Sequence, residues 1–557
     1  MQFRWNHTQG APDYDRETGF GFVTGAVYTA DAGLHIPETN SGFLPLWWYA
    51  GTPISDIRQS EYGLQATAAE ALRTEDAADR RLPVWLRIQV PGEGVYRAEI
   101  TVTGTDGGEV LVFTGRRRLA WRGVLPAGAQ QIVTAYCDVF PIVPRGQADA
   151  VASDAVNIAV VGGALSAVAL AEAPHTRRIW VCGDSTVTDQ TGELPYAPGT
   201  SYAGWGQMLP AYLPEVCITN HAHSGLTTES FLSEGHWAIV KPRLRAGDIC
   251  LFQFGHNDQK LAHLQARGGY TDRLRTYIKE TRTAGAVPVL ITPLARNSWR
   301  DPTHYNDFLA DFADAVLDLR KEEAVPVLDL HAYAMQLIRQ EGLETAKRWF
   351  YPGDYTHTND FGAYRMAGFV AGALGKAVGL PVADSPAWTP APPFAPLTPP
   401  KDCALPAPDT DPFADYDATR PQEVLTRAEA LELAIKALKL FPINVYNDLY
   451  ADIVGHETYA GTVQCAAQND LIPAAWIADG RLYPQRTVTA ADFLAVLMPG
   501  AAGRRPLAAP SPLPDSVPAY ARFAAGQAVA EQLISADSLN DPITRSDAAA
   551  LCRRLHI

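Results

Sequence analysis

Basic side chains are in short supply in this 557-residue chain: 46 Lys and Arg face 61 Asp and Glu, a formal net charge of −15. Phosphate recognition needs concentrated Lys and Arg, so this balance excludes a nucleic-acid partner. It also argues against simple electrostatic capture of a polyanionic polysaccharide, which would require a local basic patch. Cysteine is sparse too. Cys137, Cys182, Cys217, Cys250, Cys403, Cys465 and Cys552 are odd in number and scattered, with no CxxC spacing. Cys182, Cys217 and Cys250 sit inside apolar strand-like runs, where a free thiol behaves as a small hydrophobe. A reducing compartment is expected rather than a disulfide framework. No apolar run approaches the ~20 residues of a membrane-spanning helix, so no membrane partner is expected. The opening MQFRWNHTQGAPDYDRE has no apolar signal region, which predicts a cytoplasmic protein, although a chain trimmed of its leader would read the same way. GxSxG, HExxH and Walker motifs are also missing, which removes the nucleophile elbow, the zinc-protease helix and the P-loop.

The length exceeds what one hydrophobic core supports, so three or four domains are expected. Residues 1–174 read as a β-sandwich. Short runs such as Val84–Val90 and Tyr96–Val102 are broken by turn residues at Pro91–Gly94 and Gly104–Gly108, and only a stretch near Ala66–Leu72 has a helical period. The segments Gly19-Phe20-Gly21-Phe22 and VWLRIQVPGEGVYRAEITV resemble galactose-binding-like jelly-roll modules. From 175 to 382 the pattern changes to α/β. Apolar runs Arg178–Cys182, Glu215–Thr219, Ile249–Phe254, Val287–Ile291 and Val325–Leu330 alternate with helical segments such as DRLRTYIKETRTAG and NDFLADFADAVLDLRKEE. Five buried strands with intervening helices predict a doubly wound parallel sheet, whose ligands bind beyond the carboxyl ends of the strands. Residues 383–420, with PAWTPAPPFAPLTPP, read as a semi-extended linker. In 421–557 a degenerate repeat opens three helical runs at Thr426-Arg-Ala-Glu429, Thr489-Ala-Ala-Asp492 and Thr544-Arg-Ser-Asp547. Each is capping-box-like. With Leu482-Tyr483-Pro484 the region resembles S-layer homology repeats, giving a small, mainly helical domain. Ala490 stands where the flanking repeats carry Arg427 and Arg545, which favours packing over binding of a wall polymer.

Four segments of the α/β region carry candidate chemistry. In RIWVCGDSTVTDQ, Ser185 follows the first strand. Gly183 removes a side chain at the turn, so that a substrate carbonyl can approach; alternatively Asp184 or Ser185 caps the following turn. In NHAHSGLTTESFL, Gly225 lies beyond the second strand, either as an amide donor or as an ordinary loop glycine. His221 and His223 have the spacing of a metal pair, but no third ligand accompanies them, and alternation at a strand end explains them equally. In AGDICLFQFGHNDQK, Asn257 ends the third strand as an amide donor or as a turn former. In YPGDYTHTNDFGAYRMAGFV, Asp354 precedes His357 by three positions, ahead of a helix. There the carboxylate can orient the imidazole or simply cap. All four lie in one half of the chain, and together serine, base, orienting acid and oxyanion donors are the full set that acyl transfer needs.

Jointly, GDS, the second-block Gly, GHND and DxxH resemble the four blocks of SGNH hydrolases. Within them GDSTV, SYAGWGQML, NHAHSGLTTESF, AGDICLFQFGHND and DYTHTNDFGA are similar to rhamnogalacturonan acetylesterases. The resemblance implies a three-layer α/β/α domain with a five-stranded parallel sheet. It implies Ser185 as nucleophile, His357 as general base and then acid, and Asp354 as its orienting partner. It implies an oxyanion hole of Ser185 N–H, Gly225 N–H and the Asn257 side chain. The partner implied is an acetylated oligo- or polysaccharide, pectic rhamnogalacturonan first, with no metal or organic cofactor. Leu226 departs from the pattern, since these acetylesterases usually carry Arg there, and this leaves the sugar and its charge open. Tyr202, Trp205 and Trp299 form a sugar-stacking wall or are core aromatics. The rival readings are an SGNH lipase, thioesterase or xylan-directed acetylesterase, and a non-catalytic glycan-binding, wall-associated protein. The oligomeric state is not readable from the sequence.

Overall fold

The computed structural model describes residues 2–23, 27–29, 33–35, 54–68, 82–143, 149–190, 192, 196–261, 263–301, 304–390, 411–438, 440, 450–453, 457–502 and 506–555. The first region forms two antiparallel sheets. One runs Gln130–Val139, Gly94–Thr103, Ala164–Glu172, Gly63–Ala68, Ile54–Ser60, with Gln2–Asn6 also on Ala164–Glu172. The other runs Arg118–Val124, Glu109–Thr114, Ala155–Val161, Val84–Gln89, Phe20–Phe22. Residues 66–68, read as the start of a helical stretch, instead belong to a strand paired with Ile54–Ser60. The hairpin ladder overrides the local helical period there, and 69–72 lie outside the described residues.

The α/β region builds one parallel sheet. Its strands are β1 (Arg178–Gly183), β2 (Cys217–Asn220), β3 (Ile249–Gln253), β4 (Val287–Ile291) and β5 (Val327–Leu328), in the order β2-β1-β3-β4-β5. The ends of β2, β3 and β5 shift by up to two residues from the apolar runs that mark them in the sequence. Strand alternation divides the sheet's side chains between two layers. Trp180, Cys182, Cys250, Phe252 and Leu290 pack with α1 (Thr271–Thr283) and α2 (Ala310–Glu322). Ile179, Val181, Leu251, Val289 and Ile291 face α3 (Leu330–Ala346) and α4 (Asp360–Val378). That second layer is continuous with the buried residues of the two N-terminal sheets, in one cluster from Trp5 to Trp388. The order of strands reverses between β1 and β3, so a crevice is expected at their carboxyl ends.

The proline-rich segment is described only at its two ends, and both are packed. Trp388 is buried against Phe361 and Tyr364, and Arg122 donates to the Pro386 carbonyl at 2.7 Å. Residues Ala414–Ala418 form a short helix whose Tyr416 belongs to the C-terminal core. A large aromatic side chain at each end makes burial more favourable than a free linker, and only 391–410 remain outside the described residues.

In the C-terminal region the Thr426 and Glu429 pair forms a reciprocal cap. The same exchange recurs at Thr489 with Asp492; at Thr544 the hydroxyl accepts from Asp547 N and itself donates to the Asp547 carboxylate. Just ahead of these caps three segments bond in a cycle: Leu425 N to Ile543 O at 2.9 Å, Ile543 N to Val488 O at 3.3 Å, Val488 N to Leu425 O at 3.0 Å. Arg427 donates to the Trp476 and Leu482 carbonyls, and Arg545 pairs with Glu429. Both arginines are buried structural groups. Cys137, Cys182, Cys217, Cys250, Cys465 and Cys552 are free and buried; Cys403 lies outside the described residues.

Candidate active site

The turn after β1 accommodates two uses of its polar residues at once. Asp184 caps it, accepting from Thr186 N at 2.9 Å and Thr186 Oγ1 at 2.7 Å. That leaves the half-buried Ser185 hydroxyl free to meet His357 Nε2 at 2.7 Å. His357 Nδ1 lies 2.7 Å from Asp354 Oδ2. A carboxylate accepts only, so Nδ1 carries the proton and Nε2 is left to accept from Ser185. Asp354 Oδ1 takes the Thr356 and His357 amides at 2.7 and 2.9 Å. Burial pushes the Asp354 pKa upward, but His357 and these amides outweigh it and hold the carboxyl below its usual value. Asp354 therefore does both of the things its position allows: it caps the loop and it orients the imidazole. Asn359 fixes where α4 begins, its side chain accepting from Gly362 N at 3.0 Å. Gly362 is required here because a Cβ would stand 1.9 Å from the Trp349 carbonyl oxygen.

Gly183 serves packing, not substrate approach. A Cβ there would meet Gln253 O at 2.6 Å and Val187 Cγ2 at 2.7 Å, so the glycine lets β1 lie close to β3. Gly225 is exposed with φ of 87°, a backbone that L side chains rarely adopt. Asn257 has an ordinary helical backbone, and the unusual φ of the turn falls on Gly255 at 130°. The asparagine is thus not needed as a turn former. Its side chain is pinned at both ends: Nδ2 donates to Leu226 O at 3.0 Å, and Oδ1 accepts from the buried Lys260 Nζ at 3.0 Å. This fixes which end of the amide carries hydrogens and leaves its second N–H without a bond among the described residues. Leu226, at the position of the missing Arg, is a core residue, 2% exposed.

Two groups behind the site gave no sequence signal beyond their adjacency to it. His256 donates Nε2–H to Leu294 O at 2.9 Å and sets Nδ1 3.3 Å from Asp184 Oδ2. This is not a hydrogen bond, and it is a charge contact only when the imidazole carries a second proton. Burial lowers the His256 pKa against the pull of Asp184. Burial also raises the Asp184 carboxyl, but His256 outweighs it and the net shift is downward. Asp258 ties the loops together, accepting from Thr228 N, Thr228 Oγ1 and Gly255 N at 2.8, 2.6 and 3.0 Å. Burial lifts its carboxyl to about 6.

Of the three candidate wall aromatics, only Tyr202 reaches the site. It stacks on Tyr351 with ring centroids 3.5 Å apart and lies edge-on to His357. Trp205 and Trp299 are core residues whose indole N–H groups bond Gln253 and Asn297. His221 and His223 diverge, the first against Trp180 and the second against His236. Among the described residues no group of three or more His, Cys, Asp or Glu could hold a metal ion.

Residues 181–365, which include Ser185, Gly225, Asn257, Asp354 and His357, match the GDSL-like lipase/acylhydrolase family. The chain is similar to the rhamnogalacturonan acetylesterase RhgT of Bacillus subtilis (strain 168), 33% identical over 222 residues, 37% of this chain and 93% of that one. It is also 33% identical over 216 residues to the probable rhamnogalacturonan acetylesterase YesY of the same organism, covering 37% and 96%. A longer match, 25% identical over 368 residues, joins it to the uncharacterized esterase YxiM, again of Bacillus subtilis, covering 64% and 82%. The crystal structure of YxiM superposes with a TM-score of 0.36 at 21% identity, over 68% of this chain and 99% of that one. With nearly the whole length of RhgT and YesY matched at this identity, the chain belongs to the GDSL-like lipase/acylhydrolase family.

Proposed function

We propose that this protein is a carbohydrate O-acetylesterase that removes acetyl groups from plant cell-wall saccharides, pectic rhamnogalacturonan first among them, through a Ser-His-Asp acyl-enzyme mechanism. The observation that carries the mechanism is the unbroken chain from Ser185 Oγ through His357 to Asp354, at the strand-order reversal and beside a pinned Asn257 amide. Ser185 Oγ attacks the acetyl carbonyl as His357 Nε2 takes its proton. Asp354 stabilises the imidazolium, and the Ser185 and Gly225 amides with Asn257 Nδ2 receive the oxyanion. His357 then protonates the departing sugar oxygen, and water repeats the sequence on the acetyl-enzyme. These steps ask for no metal or cofactor. The names of RhgT and YesY support the choice of glycan. In the same reading the two N-terminal sheets are a galactose-binding-like jelly roll, and the C-terminal helices are S-layer-homology-like repeats.

The test is acetate release from acetylated pectic, xylan and mannan oligosaccharides, with aryl esters of increasing chain length alongside. Pectic oligosaccharides are expected to release acetate, and aryl-ester activity to fall steeply from acetate to butyrate and vanish by octanoate. Ser185→Ala is expected to lose several orders of magnitude in turnover, as triad members do. A rate rising with chain length, with no acetate from any glycan, would move the protein to the lipase or thioesterase reading.

A further inference from the structure

The tip of the Glu109–Val124 hairpin, Gly115-Arg116-Arg117-Arg118, belongs to the N-terminal sheets but spends its side chains on the α/β region. Arg117 is the centre of it. Its side chain is fully buried, and its backbone holds a φ of 58°. A non-glycine residue pays about 1–3 kcal/mol for such a conformation and keeps it only where the surroundings fix it. Gly192 makes room, since a Cβ there would meet Arg117 Cδ at 2.9 Å.

The partners of this one guanidinium lie on three separate segments. Nη1 donates to Asp360 Oδ1 at 2.5 Å, in the first turn of α4 and three residues beyond His357. Nη2 donates to the Tyr202 carbonyl; the Tyr202 ring lies edge-on to His357, and its hydroxyl is 3.5 Å from Asp354 Oδ2. Nε donates to the Gln190 carbonyl at 3.2 Å, and the Gln190 side chain in turn donates to the Ser185 carbonyl at 2.9 Å. The segments that carry the nucleophile, the base with its acid, and the aromatic wall therefore meet at one rigid fork. A planar five-donor group suits this and a lysine does not, because a single ammonium cannot span all three.

We infer that Arg117 is a positioning residue of the esterase site: the N-terminal module supplies the brace that sets Ser185 against His357. The inference rests on the Ser-His-Asp reading above. Arg117 touches neither substrate nor reacting atoms, so its loss acts on alignment, where displacements of an ångström can cost on the order of a hundredfold in rate.

The experiment uses the full chain and an aryl acetate, with kcat and KM determined well below the melting temperature for Arg117→Met, Arg117→Lys and Arg122→Met. Arg122 is the control, another arginine of the same hairpin that reaches across, stacking on Tyr364 of the α/β region and bonding the Pro386 carbonyl of the segment that follows it. Arg117→Met is expected to lower kcat roughly tenfold or more with KM unchanged. Arg117→Lys is expected to recover only part of the loss, and Arg122→Met to lower the melting temperature alone. Wild-type kcat in a folded Arg117→Met protein would overturn the inference and reduce the hairpin to glue between domains. Should that variant not fold, wild-type kcat in Arg117→Lys would overturn it equally. Ser185→Ala measured alongside separates the two levels. If it stays active the triad reading itself fails, whereas inactive Ser185→Ala beside wild-type Arg117 variants sinks only the brace.

Discussion

The modules on either side of the esterase region are attached to it by opposite means. On the N-terminal side, Arg117 and Arg118 pair with Asp360 and Asp189 at fully buried or nearly buried positions, and hydrophobic burial runs unbroken from Trp5 to Trp388. On the C-terminal side the buried residues from Phe413 to Leu555 form their own cluster. The pairs of Arg553 with Asp411 and Asp417 lie within that C-terminal unit, not between it and the esterase region, and are a third or more exposed. Buried charges are expensive to leave without partners, whereas exposed pairs contribute little. The difference indicates that the sandwich and the esterase region act as one unit, and that the helical module is an attachment.

The largest break would come from deletion. A chain starting at residue 175 leaves Asp360 without Arg117 and Asp189 without Arg118, and exposes a wide apolar face. It is expected to yield no active soluble esterase. A chain ending at residue 390, before the helix Ala414–Ala418, is expected to keep its activity on aryl acetate. An inactive but folded 390-residue protein would mean that the helical module supports the site, and the comparison would collapse.

A smaller effect is expected from Arg118→Met. Arg118 bonds Asp138 on its own side of the junction and Asp189 and the Ile218 carbonyl across it; its loss leaves the buried Asp138 without this partner, while Asp189 keeps Arg116 and Asn220. Removing one partner of such a pair costs about 3–5 kcal/mol. Calorimetry should therefore show the main unfolding transition lowered and the transition of the helical module unmoved. A shift of both transitions together would show that the two units are coupled.

The smallest effect sharpens the same contrast through pH. Asp411 is held below its usual value, by Arg553 first and then by the Phe413 amide, with partial burial opposing. A depressed carboxyl contributes stability above its unfolded value, near 4, and that contribution is lost as pH falls through the folded one. The helical module should therefore weaken slightly on acidification below about pH 4, and salt should screen the effect. Asp411→Asn should remove this part of the pH dependence and leave the main transition where it was.

What the sequence makes legible divides along the range of the interactions involved. The parallel strands are readable because a strand buried on both faces is a continuous apolar run. The loops at their ends are readable because Asp354 and His357, or Gly255 and Asn257, act on near neighbours. Arg117 is invisible by the same rule, since its partner Asp360 lies 243 residues away in sequence. For Trp205 and Trp299 the sequence leaves wall and core open, because only the fold sets Gln253 and Asn297 beside their indoles. Residues 66–68 look helical until Ile54–Ser60 offers them a ladder. Gly183 is correctly singled out as a position without a side chain, but what fills the space is β3.

The cycle of hydrogen bonds among Leu425, Val488 and Ile543 has a consequence for how the helical module can vary. Stacked repeats in a solenoid leave a free face at each end, so such arrays lengthen or shorten by whole units. Here each of the three segments gives to one neighbour and takes from the other, and the first meets the last. A ring closed in this way has no growing end. Adding a fourth repeat or removing the third would break bonds instead of extending a stack, so the copy number is set by closure, and the module must be inherited or lost as a trio.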